Sequence, residues 1–220
     1  MDLHFISYPK SGRSWLRYAM TVLDYADEIN FHHDDFPFMQ KQKPPHDFSL
    51  QKRLNAYGQG CRVIYLTRDP RDTMVSLFHQ VTGRFGPVFD FQGDMSDFIR
   101  DPWFGAENLK KFRDIWDEMC VRELAIKVTY EQAHTDFEGT LGRILTHYGY
   151  QPTEQELIRA KDAASFQNMK KVEQSQTFPK NWLRPKNGAV KVRKGKVGGY
   201  AEVLSDKDIR YLNTVFSIDD

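Results

Sequence analysis

The sequence predicts an α/β fold: one domain over residues 1–220, with a central parallel sheet flanked by helices. Short apolar runs recur at Leu3–Tyr8, Arg62–Thr67 and Glu123–Val128, each followed by polar residues and then by helical spacing of apolar side chains. That order is repeated β-α, and runs apolar on both faces suit strands covered above and below. A length of 220 residues is enough to bury one core without staples.

The first strand breaks at Pro9, crosses Lys10-Ser11-Gly12-Arg13-Ser14, and gives way to Trp15, Leu16, Ala19, Met20 and Leu23, which predict a helix over 13–26. A strand, a tight turn and a helix start bring backbone N–H groups together with a cation and two hydroxyls, an arrangement suited to an anion. Helical spacing also predicts helices over 70–81, 106–120 and 131–148. Pro152-Thr153 with Glu156, and Ser205 with Asp208, are helix-start signals. Two stretches, 30–48 and 174–200, read as loops, and loops of that length in a compact domain are usually functional.

Net charge is +1, so any anion site must come from local clustering. One cluster stands out. No acid occurs between Glu173 and Glu202, while Lys180, Arg184, Lys186, Lys191, Arg193, Lys194 and Lys196 all do. Cys61 and Cys120 have no CxxC spacing, which implies neither a zinc site nor a disulfide framework and suits a reducing compartment. No apolar run approaches the ~18 residues of a membrane span, and no leader precedes the first strand, so the expectation is a soluble cytoplasmic protein.

Ligands of open α/β sheets sit at the carboxyl ends of the strands, so the segments at Tyr8–Trp15, Arg68–Ser76 and Tyr130–Glu131 should converge. The first is no Walker A loop, because Lys10 precedes its only glycine, Gly12. That disfavours an ordinary nucleoside-triphosphate site. Arg68 at a strand end and Ser76 two turns into the next helix suit a phosphate, although Arg-Asp-Pro-Arg-Asp is equally a salt-bridged turn with a capping Asp. His32-His33-Asp34-Asp35 reads as a solvated loop or an acceptor contact rather than a metal site, since adjacent His side chains point different ways.

"YPKSGRSW", "VIYLTRDPRDTMVS", "VTYE", "SFQNMK" and "RKGKVGGY" occur in that order, and "WFGAENLKKFRDIWDE" lies between the second and third. Together they resemble the signatures of the sulfotransferases that use 3′-phosphoadenosine 5′-phosphosulfate (PAPS), closest to the cytosolic branch. The resemblance implies a P-loop, nucleotide-kinase-like sulfotransferase fold and sulfuryl transfer to a hydroxyl or amine of a small acceptor, leaving adenosine 3′,5′-bisphosphate (PAP). Carried over to this chain, it implies that Lys10, Ser11, Gly12, Arg13 and Ser14 hold the 5′-phosphosulfate and that Trp15 stacks on adenine. It places Arg68, Ser76, Arg193, Lys194 and Gly195 at the 3′-phosphate, and Tyr130 and Phe166 along the base. His46, 16 residues before Arg62, matches the catalytic base by position, with Lys10 stabilising the leaving oxygen.

No metal is implied, because Lys10 and the helix start supply the positive field. Three departures from the pattern occur: Arg13 replaces a small hydroxyl residue, Gly199-Tyr200 replaces Asp-Trp, and Pro44 replaces the Lys two residues before His46, with Lys43 one step further back. The family's C-terminal dimer motif is not visible, so nothing follows about oligomeric state. Phe31, Phe36, Phe38, Phe85 and Phe89 suit an apolar acceptor wall or packing. Readings from other classes are a nucleotide-dependent phosphotransferase, which the missing Walker A loop disfavours, and a nucleotide- or nucleic-acid-binding module, which fits the basic run but gives His46 no role. No nucleic-acid partner is expected.

Overall fold

The computed structural model describes residues 1–34, 49–58, 60–176, 178–193 and 195–219. His46 and Lys194, with Asp35, Phe36 and Phe38, lie outside the described residues. Four strands, β1 (Asp2–Ser7), β2 (Ile29–His32), β3 (Cys61–Thr67) and β4 (Ile126–Thr129), form one sheet in the order β2-β1-β3-β4. All pairings are parallel, with Phe5 between Phe31 and Ile64 and with Leu66 beside Val128. The helices are α1 (Arg13–Val22), α2 (Leu50–Ala56), α3 (Pro70–His79), α4 (Gly86–Phe89), α5 (Met95–Arg100), α6 (Ala106–Val121), α7 (Tyr130–Thr135), α8 (Phe137–Tyr148), α9 (Glu154–Ala163), α10 (Phe166–Ser175) and α11 (Asp206–Phe216).

Period-two alternation along the strands sends side chains into two cores. Leu3, Phe5, Ile64, Leu66 and Val128 pack on Leu16, Ala19 and Met20 of α1 and on Leu141, Ile144 and Leu145 of α8. Ile6, Val63 and Tyr65 pack on the opposite layer, against Met74 and Leu77 of α3, Phe112 and Trp116 of α6 and Leu212 of α11. Strand order reverses beside β1, so the chain after β1 and the chain after β3 emerge next to each other at the carboxyl ends of the strands.

Several boundaries differ from the sequence expectations for local reasons. The helix from residue 13 stops at Val22 because Asp24 takes a left-handed φ of 61° and the Tyr25 N–H turns back to the Met20 carbonyl. The stretch 131–148 is two helices, since Asp136 leaves helical geometry and caps α8 by accepting the Gly139 N–H. After His79 the helix widens into a π-helical turn, Gln80–Arg84. Strand β2 lies in a stretch read as loop; its INFH sequence is half polar, and pairing with β1 defines it rather than apolar pattern. The start signals at Thr153 and Ser205 do cap α9 and α11.

The reading of residues 32–35 as a solvated loop is overturned for the described ones. Asp34 is 4 % exposed and its carboxylate accepts from Arg53 Nε at 2.7 Å, Trp116 Nε1 at 2.9 Å and Tyr57 OH at 3.1 Å. It joins the end of the edge strand to α2 and α6. His32 turns to His4, whose Nδ1 lies 3.1 Å from His32 Nε2. Because Asp34→Ala strands a buried guanidinium, it should cost about 3–5 kcal/mol of stability. Urea denaturation should show the midpoint falling with an unchanged slope.

Candidate active site

The turn after β1 is built by backbone conformation. Lys10 and Gly12 both take positive φ, 74° and 103°, which reverses the chain between Ser7 and α1. Gly12 is required there: a Cβ would stand 2.5 Å from the Tyr130 ring, in a conformation that side chains rarely adopt. No side chain caps α1; Ser11 N–H donates to the Tyr8 carbonyl at 3.4 Å, and Trp15 N–H donates to the Gly12 carbonyl at 2.9 Å. The amides between these two belong to the unsatisfied start of a ten-residue helix.

This turn opens on a cavity of about 470 Å³ lined by Lys10, Gly12, Arg13, Ser14 and Trp15 from the β1–α1 segment, by Arg68 and Ser76 from the β3–α3 segment, and by Tyr130, Phe166, Arg193 and Gly195. The three strand ends therefore converge. Ser11 is buried and off the cavity wall. Trp15 donates Nε1–H to the Ala164 carbonyl at 2.8 Å, and its ring lies edge-on to Tyr130 at 5.3 Å. Phe166 is 40 % exposed, and its ring leaves no room for a Cβ on Gly195, which would come within 2.8 Å at a φ of 59°. Phe31, Phe85 and Phe89 do not line the cavity. Phe31 stacks on Phe5, and Phe85 and Phe89 pack into the second core.

The wall is cationic. Arg68 lies 3.3 Å from Asp72, donates to the Lys196 carbonyl at 2.9 Å and has its guanidinium 4.3 Å from the Tyr130 ring centre. Burial, then Arg84, Arg68 and Arg193, pull the Lys10 amine down to about 7. Burial and Arg17 bring Arg13 to about 9, and Lys191 is pushed well down by burial with Lys10, Arg84 and Arg13 around it. Arg193 is lowered by burial and by Arg68. These shifts have two causes, burial first and neighbouring cations second, and an anion would relieve the second.

Several working parts escaped the sequence reading. His33 sits in the cavity wall with Nδ1 2.7 Å from the Ser7 carbonyl and Nε2 2.8 Å from Arg13 Nη2. Opposite a carbonyl Nδ1 must carry the proton, so the lone pair is on Nε2. Burial, chiefly, holds the ring's pKa well below 6.5, hence neutral. Buried Asp72 accepts the N–H groups of Gly198 and Tyr200, both at 2.9 Å. Buried Glu173 accepts those of Lys191 and Val192, at 2.5 and 2.8 Å. These two carboxylates fix the chain on either side of Arg193 and Gly195. The only sequence signals were the second acid of RDPRD and the last acid before the basic run. His32, His33 and Asp34 point to three places; among the described residues the only possible metal-ligand group is Asp2, His4 and Cys61, at the other end of the strands.

A sequence model of the sulfotransferase domain matches residues 1–218. Among curated proteins, the chain is 24% identical to cytosolic sulfotransferase 16 of Arabidopsis thaliana, with 93% of this chain and 71% of the relative aligned. It is also 24% identical to sulfotransferase 2B1 of Rattus norvegicus, over 90% of this chain and 65% of that one. The chain thus spans roughly two-thirds of these relatives' length. A mouse sulfotransferase complexed with PAP superimposes with a TM-score of 0.69 at 20% identity, over 98% of this chain and 82% of that chain. Retinol dehydratase in complex with androsterone and PAP gives the same TM-score at 14% identity, over 98% and 79%. No helix among the described residues is long and apolar enough to cross a membrane.

Lys10 should titrate near pH 7 in the free protein. A ¹⁵N-detected Nζ signal with a midpoint within about one unit of 7, absent from Lys10→Met, is the expected result; a midpoint near 10 would contradict the burial and cationic crowding of this amine.

Proposed function

The chain belongs to the sulfotransferase family, and from that premise we propose that it moves a sulfuryl group from PAPS to a hydroxyl or amine of a small acceptor, releasing PAP. The observation that supports this most is the meeting, in one cavity, of a glycine turn at a helix start with a second cationic group at Arg68, Ser76 and Arg193, and with Trp15, Tyr130 and Phe166 available to a flat base. The residues fit the donor. Gly12 admits no side chain, and buried donors at Arg13 Nη1 and Arg68 Nε have no hydrogen-bond partner among the described residues.

PAPS supplies the activated sulfuryl group; the chain supplies position and charge. Lys10 and the first amides of α1 stabilise negative charge developing on the bridging oxygen, the usual demand of a loose in-line transfer. Arg68, Ser76 and Arg193, with Lys194, hold the 3′-phosphate. An imidazole takes the acceptor proton; His46 has this role by its position in the motif order. His33 Nε2, neutral and facing Arg13, is the imidazole already on the wall.

Incubation with PAPS labelled in its sulfuryl group and a panel of hydroxyl and amine acceptors tests the reading: label should pass to an acceptor with release of PAP. ATP turnover in place of this would point to phosphotransfer. PAP should bind more than tenfold more tightly than adenosine 5′-phosphate in calorimetry, since even two charge-assisted contacts to the 3′-phosphate amount to about 3 kcal/mol.

The affinity should also depend on pH through Lys10. Free Lys10 titrates near 7 and bound anion raises that value, so binding is strongest below pH 7 and weakens as pH rises toward the pKa of the complex. At pH 8, calorimetry in buffers of different ionisation enthalpy should show proton uptake, and Lys10→Met should remove it. His46→Ala should lower turnover about 10²–10⁴-fold with PAP affinity nearly unchanged. Near wild-type turnover would move the base to His33.

A further inference from the structure

Beside the turn, on the wall away from Arg68 and Arg193, more cations gather than the phosphosulfate end of the donor asks for. Arg13, one helical turn before Arg17, gives one nitrogen to His33 and leaves Nη1 buried without a partner. The Arg17 side chain has no hydrogen bond or ion pair among the described residues and lies with its guanidinium carbon 4.9 Å from the Phe31 ring centre and 5.1 Å from that of Trp182. Lys191 approaches the same indole from 5.2 Å. Its ammonium donates to the Trp182 carbonyl at 2.6 Å, and Trp182 Nε1–H is itself buried and unpartnered.

Among the described residues, the nearby acids Glu173 and Asp27 are committed elsewhere. Glu173 spends its oxygens on the amides of Lys191 and Val192 and lies 3.7 Å from Arg84; Asp27, nearest to Arg17 in charge, is exposed beside Lys180. Buried donors without acceptors in a native fold mark a missing ion or ligand group. A phosphosulfate carries one charge on its phosphate and one on its sulfuryl group, which Lys10, Arg13 and the α1 amides meet. What is left over is Lys191 on the cavity wall, with Trp182 and Arg17 next to it outside the residues that line the cavity; Phe31, Phe85 and Phe89 do not line it either.

We propose that the acceptor is itself an anion, carrying a carboxylate, phosphate or sulfate group near the hydroxyl or amine that is sulfated, and that Lys191, Arg17 and Trp182 bind this group beside Arg13. The proposal rests on the sulfuryl-transfer reading and names the substrate class of that site. Trp182 and Phe31 hold Arg17 between two rings, so its guanidinium is positioned before the ligand arrives and loses less freedom on binding. Lys191 contributes a further charge-assisted bond.

The test compares matched pairs in sulfuryl transfer from labelled PAPS: 4-hydroxybenzoate and 4-hydroxybenzenesulfonate against methyl 4-hydroxybenzoate, and glucose 6-phosphate against glucose. The anionic member of a pair should be preferred by about tenfold or more in kcat/KM, mainly through the acceptor's KM, and the preference should shrink at high salt. Which anion gains most identifies the group recognised. Lys191→Gln and Arg17→Gln should each cut the preference to about threefold or less while the KM for PAPS changes little. Equal use of neutral and anionic members overturns the proposal; so does a variant that raises the KM for PAPS and leaves the acceptor preference intact, because the cations would then serve the donor.

If none of these compounds is sulfated, the same pairs are titrated against the protein saturated with PAP. Anion-selective binding that Lys191→Gln removes supports the proposal, and its absence overturns it. Failure of PAP itself to bind strikes the sulfuryl-transfer reading, which keeps the two failures apart.

Discussion

Mutual repulsion among cations is the constraint around which this fold is arranged. Lys10, Arg13, Arg68, Lys191 and Arg193 crowd one cavity with Arg84 buried near them, and three of them are held far enough from water for their pKa values to fall to about 9 or below or well down. Two buried carboxylates keep them assembled. Asp72 neutralises Arg68 and takes two backbone amides of the chain near Gly198; Glu173 faces Arg84 and takes two near Lys191. Each acid thus works on a charge and on the course of the basic segment together. The crowding that destabilises the free site is also what gives it affinity for anions, since the repulsion is released when negative charge enters.

Rigid supports make such crowding tolerable. The sheet places the turn after β1 and the arginine after β3 side by side, and neither can retreat because Gly12 is pressed against Tyr130 and Arg68 lies over the same ring. On the far side of the turn, β2 is short and half polar, yet Asp34 ties its end to α2 and α6 through Arg53 and Trp116. This anchor holds the neighbouring His33 in the wall, where its Nδ1–H binds the Ser7 carbonyl and its Nε2 receives Arg13. A purely structural interaction and a functional one are therefore adjacent residues of the same strand end, with opposite surroundings: Asp34 in the second core, His33 on the cavity.

Among its described residues the basic segment has little regular structure: two single turns of 3₁₀ helix at Asn181–Leu183 and Gly199–Glu202, and one bridge between Lys186 and Ala189. Its order comes from outside. Glu173, Asp72, His134, which contacts the Gly195 carbonyl at 3.0 Å, and Arg84, which donates to the carbonyls of Arg184 and Ala189, all reach it from helices or from the π-helical turn. A loop fixed by other elements in this way can bring charge to a ligand without needing apolar residues of its own.

The sequence by itself determined the α/β class, three of the four strands, most helix starts, and the short stretches that form the cavity. Those features rest on local physics: apolar alternation, capping side chains, and a glycine where the turn needs positive φ. Tertiary structure decided the rest. Strand β2 exists because β1 offers it a ladder, the helix predicted over 131–148 is cut by the cap at Asp136, and Ser11 is turned away from the wall. His33, Asp72, Glu173 and Lys191 join the site through contacts across tens of residues that no spacing encodes. Aromatic residues made the same point, since only packing settled that Phe31, Phe85 and Phe89 belong to the cores and Phe166 to the cavity: a side chain's type fixes what it can bind, but its neighbours in space fix whether it is free to do so.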